Sequence, residues 1–360
     1  MTGRRFGAIV GEQKANSCDF SVPASLIQIE SQNKDSSAPL VGIARLASQG
    51  ESLRVGHNVE YFTLPAKALL NRCTSRRVPF TWTINPYRGC EFACKYCYAR
   101  YTHEFMEMRD GIDFERKIYV KQQTAWLLRQ ELGKVKADEE IAIGTATDPY
   151  QPAEKRFEIT RSILQEVAQH QGLQVGIVTK SDLVVRDIDV LREVAKRNSL
   201  FVNLTITTLS TKLARILEAR APRPDLRLQA LTKLRRAGLN AGVICAPVLP
   251  GITDSPAALD NLVRATKEAG GKYVYANALF LKPCSANIFL PFLEKEFPQL
   301  VADYRKRYAH RTFVSKAYAE RLSELMAALR KKHGIKKEVE DRQKLSVEYR
   351  LQDVQMEMFA

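Results

Sequence analysis

From residue 81 onward, short apolar runs alternate with longer stretches of helical periodicity. Residues 81–87 (TWTINPY) read as a strand. Residues 119–133 place Ala125, Leu128 and Leu132 along one stripe with Gly133 as a stop, which predicts a helix. The apolar triplet Ile141-Ala142-Ile143 predicts the next strand, and Thr160 opens a helix near 160–171. Strands follow at 174–179, 201–207, 241–247 and 272–280, with helices at 184–197, 211–219, 225–237 and 256–269 between them. Pro256 marks the first turn of the last of these helices and Gly270 its end. In the fourth strand, Asn203, Thr205 and Thr207 alternate with Val202, Leu204 and Ile206, so the three polar residues share one face.

Strands separated by helices imply parallel pairing, because a parallel connection needs a crossover of this length. Six such units suit an open doubly wound sheet or a partial barrel. Ligands in both architectures bind at the carboxyl ends of the strands. The flanks divide the rest of the chain. Residues 1–37 are irregular in pattern and expected to be partly disordered, and 38–80 form a lead-in to a core at 81–290. Residues 291–333 read as a helical extension, especially 313–332, and 334–360 as a charged, loosely held tail.

Composition changes this picture little, and charge changes it more. A hydrophobic content of 45% is ordinary for a globular protein. No stretch approaches the roughly 20 apolar residues of a membrane span, so a soluble, cytoplasmic protein is expected. The formal charge is +15. Residues 1–60 are balanced at six basic and six acidic, and 311–360 hold eleven and eight, leaving 38 basic and 26 acidic in between. From 72 to 100, Arg72, Arg76, Arg77, Arg88, Lys95 and Arg100 face only Glu91. Such a field favours polyanions, and nucleic acid is the expected partner.

The chemistry is concentrated in Asn85-Pro86-Tyr87-Arg88-Gly89-Cys90-Glu91-Phe92-Ala93-Cys94-Lys95-Tyr96-Cys97-Tyr98-Ala99-Arg100. Cys90, Cys94 and Cys97 are three thiolates in eight residues, enough to converge on one soft metal centre. A full iron–sulfur set uses four cysteines, and the next along the chain is Cys245. One iron of a [4Fe–4S] cluster held this way is open to a further ligand. Structural zinc with His103 as fourth ligand is the other reading of these residues, and a non-enzymatic zinc-containing nucleic-acid-binding protein would follow from it. A disulfide pair plus a spare thiol fits less well, with an odd count of seven cysteines and nothing like a signal peptide at the N-terminus.

The spacing resembles the cluster motif of the radical S-adenosylmethionine (SAM) enzymes, and the longer string NPYRGCEFACKYCYAR resembles the subgroup related to spore photoproduct lyase. Among the two architectures above, the resemblance selects a partial (β/α)6 barrel. It implies a [4Fe–4S] cluster on Cys90, Cys94 and Cys97 and SAM on the open iron. It further implies reductive cleavage of SAM to a 5′-deoxyadenosyl radical, with electrons from an external one-electron reductant of the flavodoxin or ferredoxin type. The match runs over roughly 75–290 and is most specific at the cysteines.

Other candidates follow from strand ends and from the resemblance together. Asp148, Gln151 and Glu154, in the loop after the second strand, offer acceptors for an ammonium group or sugar hydroxyls, and Asp148 and Glu154 are assigned to SAM. Lys180, after the third strand, is matched to the SAM carboxylate, and Asn203 and Thr205 to its ribose. Glu218 and Arg227 read as an ion pair or a further SAM contact. Tyr96 is expected to pack on the cofactor, and Tyr96 or Tyr98 could relay a radical. Cys284, after the sixth strand, is the spare thiol placed to donate a hydrogen atom. The lyase carries its hydrogen-donating cysteine near the end of its second strand, where this chain reads IAIGTATDPY without one. Thymine-dimer repair by the lyase's route is therefore not expected here. From the basic core and the resemblance, the expected substrate is nucleic acid in repair or modification, with a small molecule, protein or RNA as the alternative. The Gln355–Phe359 peptide resembles those that dock DNA sliding clamps.

Overall fold

The computed structural model describes residues 40–336, apart from His57, Arg76 and Arg77. The expectations for residues 1–37, for most of the 334–360 tail and for the Gln355–Phe359 peptide lie outside the described residues.

The strands are β1 (Ser52–Gly56), β2 (Val59–Leu64), β3 (Leu70–Arg72), β4 (Trp82–Ile84), β5 (Tyr87–Arg88), β6 (Lys117–Lys121), β7 (Glu140–Ile143), β8 (Gln174–Thr179), β9 (Ser199–Thr205), β10 (Ala241–Val248) and β11 (Val274–Ala278). Six of them, in the order β4-β7-β8-β9-β10-β11, form an all-parallel array, and β3 adds antiparallel to the outer edge of β4. Spatial order equals chain order, with no reversal. A doubly wound sheet must reverse direction at its switch point. Successive right-handed crossovers without a reversal put every helix on the same face, which gives a partial (β/α)6 barrel open between β11 and β4.

Burial confirms which face is which. Ile141, Val175, Ile177, Leu200, Val202, Leu204, Val243 and Cys245 join the large apolar cluster with the helices, including Leu128, Ile163, Leu191, Leu231 and Val263. The alternate positions, among them Asn203 and Thr205, face the interior. Asn203 there donates to the Ile177 carbonyl (3.0 Å) and accepts from the Tyr273 hydroxyl (2.9 Å), which fixes its amide in the sheet with one N–H and one lone pair still to offer.

Two expected elements are differently built. The stretch 81–87 is not one strand. β4 stops at Ile84, Asn85-Pro86 breaks the ladder, and β5 pairs with β6 in a second sheet, β1-β2-β6-β5. Pro86 has no N–H for a central ladder, and the Asn85 amide is spent on the neighbouring loop. Nor is 119–133 one helix. Ile118-Tyr119-Val120 has strand character and sits in β6, parallel to β2, before a left-handed Gln123 (φ 57°) leads into a helix at Thr124–Glu131. The fourth strand begins and ends two residues earlier than its periodicity suggests. Helices Pro283–Glu296, Val301–Tyr308 and Lys316–His333 complete the described chain. No helix among the described residues is long and apolar enough to cross a membrane.

Candidate functional site

The cysteine loop leaves β5 at the carboxyl end of β4, where a parallel array collects its ligands. Its entry needs Gly89. With φ at +85°, a side chain there would meet the Lys117 carbonyl at 2.7 Å. Ala93 also takes a positive φ (55°), turning the loop back between Cys90 and Cys94.

The loop after β7 fastens one side of it. Asn85 Oδ1 accepts from the Ala146 amide (2.8 Å). Thr147 Oγ1 (2.6 Å) and Gln151 Nε2 (3.2 Å) both donate to the Gly89 carbonyl, and the Glu91 amide donates to Gln151 Oε1 (3.0 Å). Glu91 replies by accepting from the Ala153 amide (2.8 Å) and the Tyr61 hydroxyl (2.9 Å). Gly144 (φ +89°) lets this loop turn, since a Cβ would lie 2.6 Å from the Val178 carbonyl.

The turn at 217–220 fastens the other side. Cys94 and Glu218 form a one-residue antiparallel bridge. The Lys95 amide donates to the Leu217 carbonyl (2.9 Å) and the Arg220 amide to that of Phe92 (3.2 Å). Arg100 reaches back to the Cys94 carbonyl (3.1 Å) and pairs with Glu115 (3.0 Å).

Cys90 and Cys94 are buried and Cys97 is half-buried. Burial raises the Cys90 thiol, and the charges of Asp148, Cys94 and Cys97 raise it further. Burial pushes Cys94 up to about 12, opposed most by Lys180. No three His, Cys, Asp or Glu among the described residues converge on a point as a single ion requires. Three thiols on one loop are nonetheless the donor type that an iron–sulfur cluster takes. His103 is engaged elsewhere: Nε2 lies 3.0 Å from the Lys117 carbonyl, and the ring packs edge-on to Phe114 and Tyr119. Burial lowers its pKa to about 4.

Around the thiols, Lys180 Nζ sits 5.7 Å from the centre of the Tyr96 ring. Burial opposes its charge, but Cys94 and Glu218 outweigh burial and hold its pKa above the ordinary value. The Tyr96 hydroxyl donates to Glu218 Oε1 and lies 3.1 Å from Thr207 Oγ1, which also donates to Oε1 (3.0 Å). Arg227 holds the other carboxylate oxygen at 2.5 Å. Glu218 and Arg227 thus form a buried pair beneath the loop.

The other expected residues divide by what occupies them. Asp148 is buried and accepts from Thr179 Oγ1 (2.6 Å), the Tyr150 amide (2.9 Å) and the Lys180 amide (2.7 Å). Burial raises its pKa, against these three bonds. It fixes the backbone of Lys180. Glu154 is fully buried and takes four donors: Tyr87 hydroxyl (2.5 Å), the Thr160 and Arg161 amides (2.8 and 3.1 Å) and Arg186 (2.9 Å). Its acceptors are used in tying β5 to the following helices. Thr205 is buried at the end of β9. The Tyr98 hydroxyl donates to the Thr145 carbonyl, and Cys284 Sγ lies 3.9 Å from the Tyr98 carbonyl oxygen.

Sequence reasoning missed Glu91, Thr147 and Arg100 as the loop's supports. The one available signal was Glu91 itself, a single acid in a strongly basic run.

The sequence model of the Radical SAM superfamily matches residues 84–263. An uncharacterized protein of Mycobacterium tuberculosis is 35% identical over 279 residues, covering 77% of this chain and 82% of that protein. Another, of Methanocaldococcus jannaschii, is 29% identical over 67% of this chain and 85% of its own length. Among solved structures, spore photoproduct lyase complexed with dinucleoside spore photoproduct superposes with a TM-score of 0.59 at 16% identity, over 76% of this chain and 79% of that one. A mutant of the same lyase with bound AdoMet and the dinucleoside photoproduct gives 0.58 at 16%, over 75% and 79%. The chain belongs to the radical SAM superfamily and shares the fold of the lyase. It is an enzyme of a family that uses a [4Fe–4S] cluster, SAM and an external reductant.

Proposed function

We propose that Cys90, Cys94 and Cys97 hold the [4Fe–4S] cluster, that SAM occupies the open iron, and that the enzyme acts on nucleic acid. When bound, these groups supply a 5′-deoxyadenosyl radical. The observation that carries the reading is the placement of Lys180: a half-buried cation beside Cys94 and over the Tyr96 ring, at the carboxyl end of the array. Lys180 would take the SAM carboxylate. Asp148 aims it through its backbone amide, and the interior face near Thr205 and Asn203 receives the ribose. Glu154 serves this site from behind, through Tyr87 and the strand that leads to Cys90. Tyr96 acts as a packed wall, its hydroxyl held by Glu218. Tyr98 and Cys284 stand together at the mouth and are the candidates for carrying a hydrogen atom between SAM and substrate.

The nucleic-acid part rests on the basic core and on the loop's local positive field. The test is anaerobic reconstitution followed by reductant and SAM. Iron and sulfide near four each per chain, with 5′-deoxyadenosine as product, are expected. Zinc in place of iron, or no SAM cleavage, would sink the chemistry. Deuterium passing into 5′-deoxyadenosine from a labelled small molecule or peptide, and not from an oligonucleotide, would sink the substrate.

A further inference from the structure

A row of aromatic rings at the mouth is left over by the cofactor site. Phe105, Tyr101, Tyr98, Phe280 and Phe313 follow one another with centroid separations of 5.7, 6.5, 5.9 and 4.5 Å. The row starts on the residues after Cys97 and crosses to the loop after β11, where the Leu281 amide donates to the Thr312 carbonyl (2.9 Å) and draws the two segments together. Both lie at the carboxyl end of the parallel array. Three of its rings reach solvent: Phe105 is 61% exposed, Phe313 39% and Tyr98, in the middle, 38%. Tyr101 and Phe280 between them are half-buried, and a row of rings in partial contact with solvent marks a binding surface. It also carries charge. Lys282 Nζ sits 3.8 Å from the centre of the Tyr101 ring and 5.9 Å from that of Phe280.

Resting on the nucleic-acid reading above, we infer that this row seats an unpaired stretch of nucleic acid, with bases stacked on the rings and Lys282 against a phosphate. Rings in sequence beside a cation are how single strands are held without regard to sequence. A duplex keeps its base faces covered by neighbouring bases and has none to offer. The geometry therefore selects single-stranded or extruded nucleotides, delivered beside Tyr98 and Cys284. The charge of the chain complements such a ligand and disfavours a basic peptide.

The experiment is fluorescence anisotropy of the full chain with a labelled 15-nucleotide single strand, and with the same sequence as duplex, across salt concentrations. The single strand is expected to bind more tightly. Joint replacement Phe105→Ser with Phe313→Ser is expected to weaken it about ten- to a hundredfold. Lys282→Gln is expected to lower the slope of affinity against salt by about one ion. Trp126→Ala, which removes an equally exposed ring (58%) on the helix Thr124–Glu131, is expected to leave binding unchanged. Unchanged thermal melting shows that each variant is folded, and Phe105→Ser alone serves if the pair is not. Tighter duplex binding, or single-strand binding indifferent to the ring replacements, overturns the row while the nucleic-acid reading stands. Binding to neither strand form overturns that reading, and the row with it.

Discussion

Glu218 and Arg227 form an ion pair at 2.5 Å with both side chains almost fully buried, directly beneath the cysteine loop. Burial works against the Glu218 charge, but Arg227 and Lys180 outweigh it and keep the carboxyl below its ordinary value. The same carboxylate accepts from Tyr96 and Thr207, and its backbone bridges to Cys94. One residue thus couples the cysteine loop to the barrel by both backbone and side chain.

Removing one partner of such a pair strands a charge in the interior. Glu218→Gln is expected to cost about 3–5 kcal/mol in stability, read by urea denaturation. The double replacement Glu218→Gln with Arg227→Met is expected to cost less than the single one. Equal or greater loss in the double variant would show that the pair's charges are not the issue.

Lys180→Met is expected to weaken SAM binding about ten- to a hundredfold, the scale of one charge-assisted hydrogen bond. Anaerobic calorimetry on the reconstituted enzyme reads this directly. Iron content should remain at the wild-type level, since no thiol is removed. A variant that binds SAM normally would exclude Lys180 from the carboxylate.

Gly89→Ala is expected to destabilise the loop by about 1–3 kcal/mol from its left-handed backbone alone, with the overlap against the Lys117 carbonyl added. The readouts are the melting temperature and the iron retained after reconstitution. Gly133→Ala meets nothing within 4 Å and serves as the control.

His103 is held neutral inside the fold, with its pKa lowered from 6.5 to about 4. The unfolded chain therefore binds a proton that the folded chain refuses as pH drops below 6.5. Stability is lost between about 6.5 and about 4, by at most about 3 kcal/mol. His103→Phe is expected to flatten that part of the stability–pH curve, followed by denaturation at several pH values. A curve of unchanged slope would assign the acid sensitivity to other groups.

The strands and helices were legible because the barrel is wound simply: one buried face per strand, one apolar stripe per helix. The alternation around Asn203 and Thr205 gave the correct interior face for the same reason. What local pattern could not carry was the break at Asn85-Pro86. Residues 81–87 look continuous, yet the two ends of that run belong to different sheets, a decision made by tertiary pairing of β5 with β6. The strand at 117–121 was hidden by the helix beside it for the same cause. At the site, the placement of the cysteine loop and of Lys180 at strand ends could be read from the order of elements. The occupancy of Glu154 could not, because its four donors come from residues as distant as Tyr87 and Arg186. Nor could the aromatic row, whose rings come together from segments nearly two hundred residues apart.

The placement of β5 sets a lower limit on the piece of chain that can work. The cysteine loop is slung between two sheets, and the second of them is completed by β1 and β2, upstream of the segment shared across the superfamily. β11 and the Lys316–His333 helix lie downstream of it. A fragment trimmed to the shared segment would keep all three thiols but lose the strand that β6 leans on. It would also bare the β10 edge to solvent and to other copies of itself. For this enzyme the catalytic motif and the smallest autonomous folding unit are different lengths of sequence, and expression boundaries belong to the longer one.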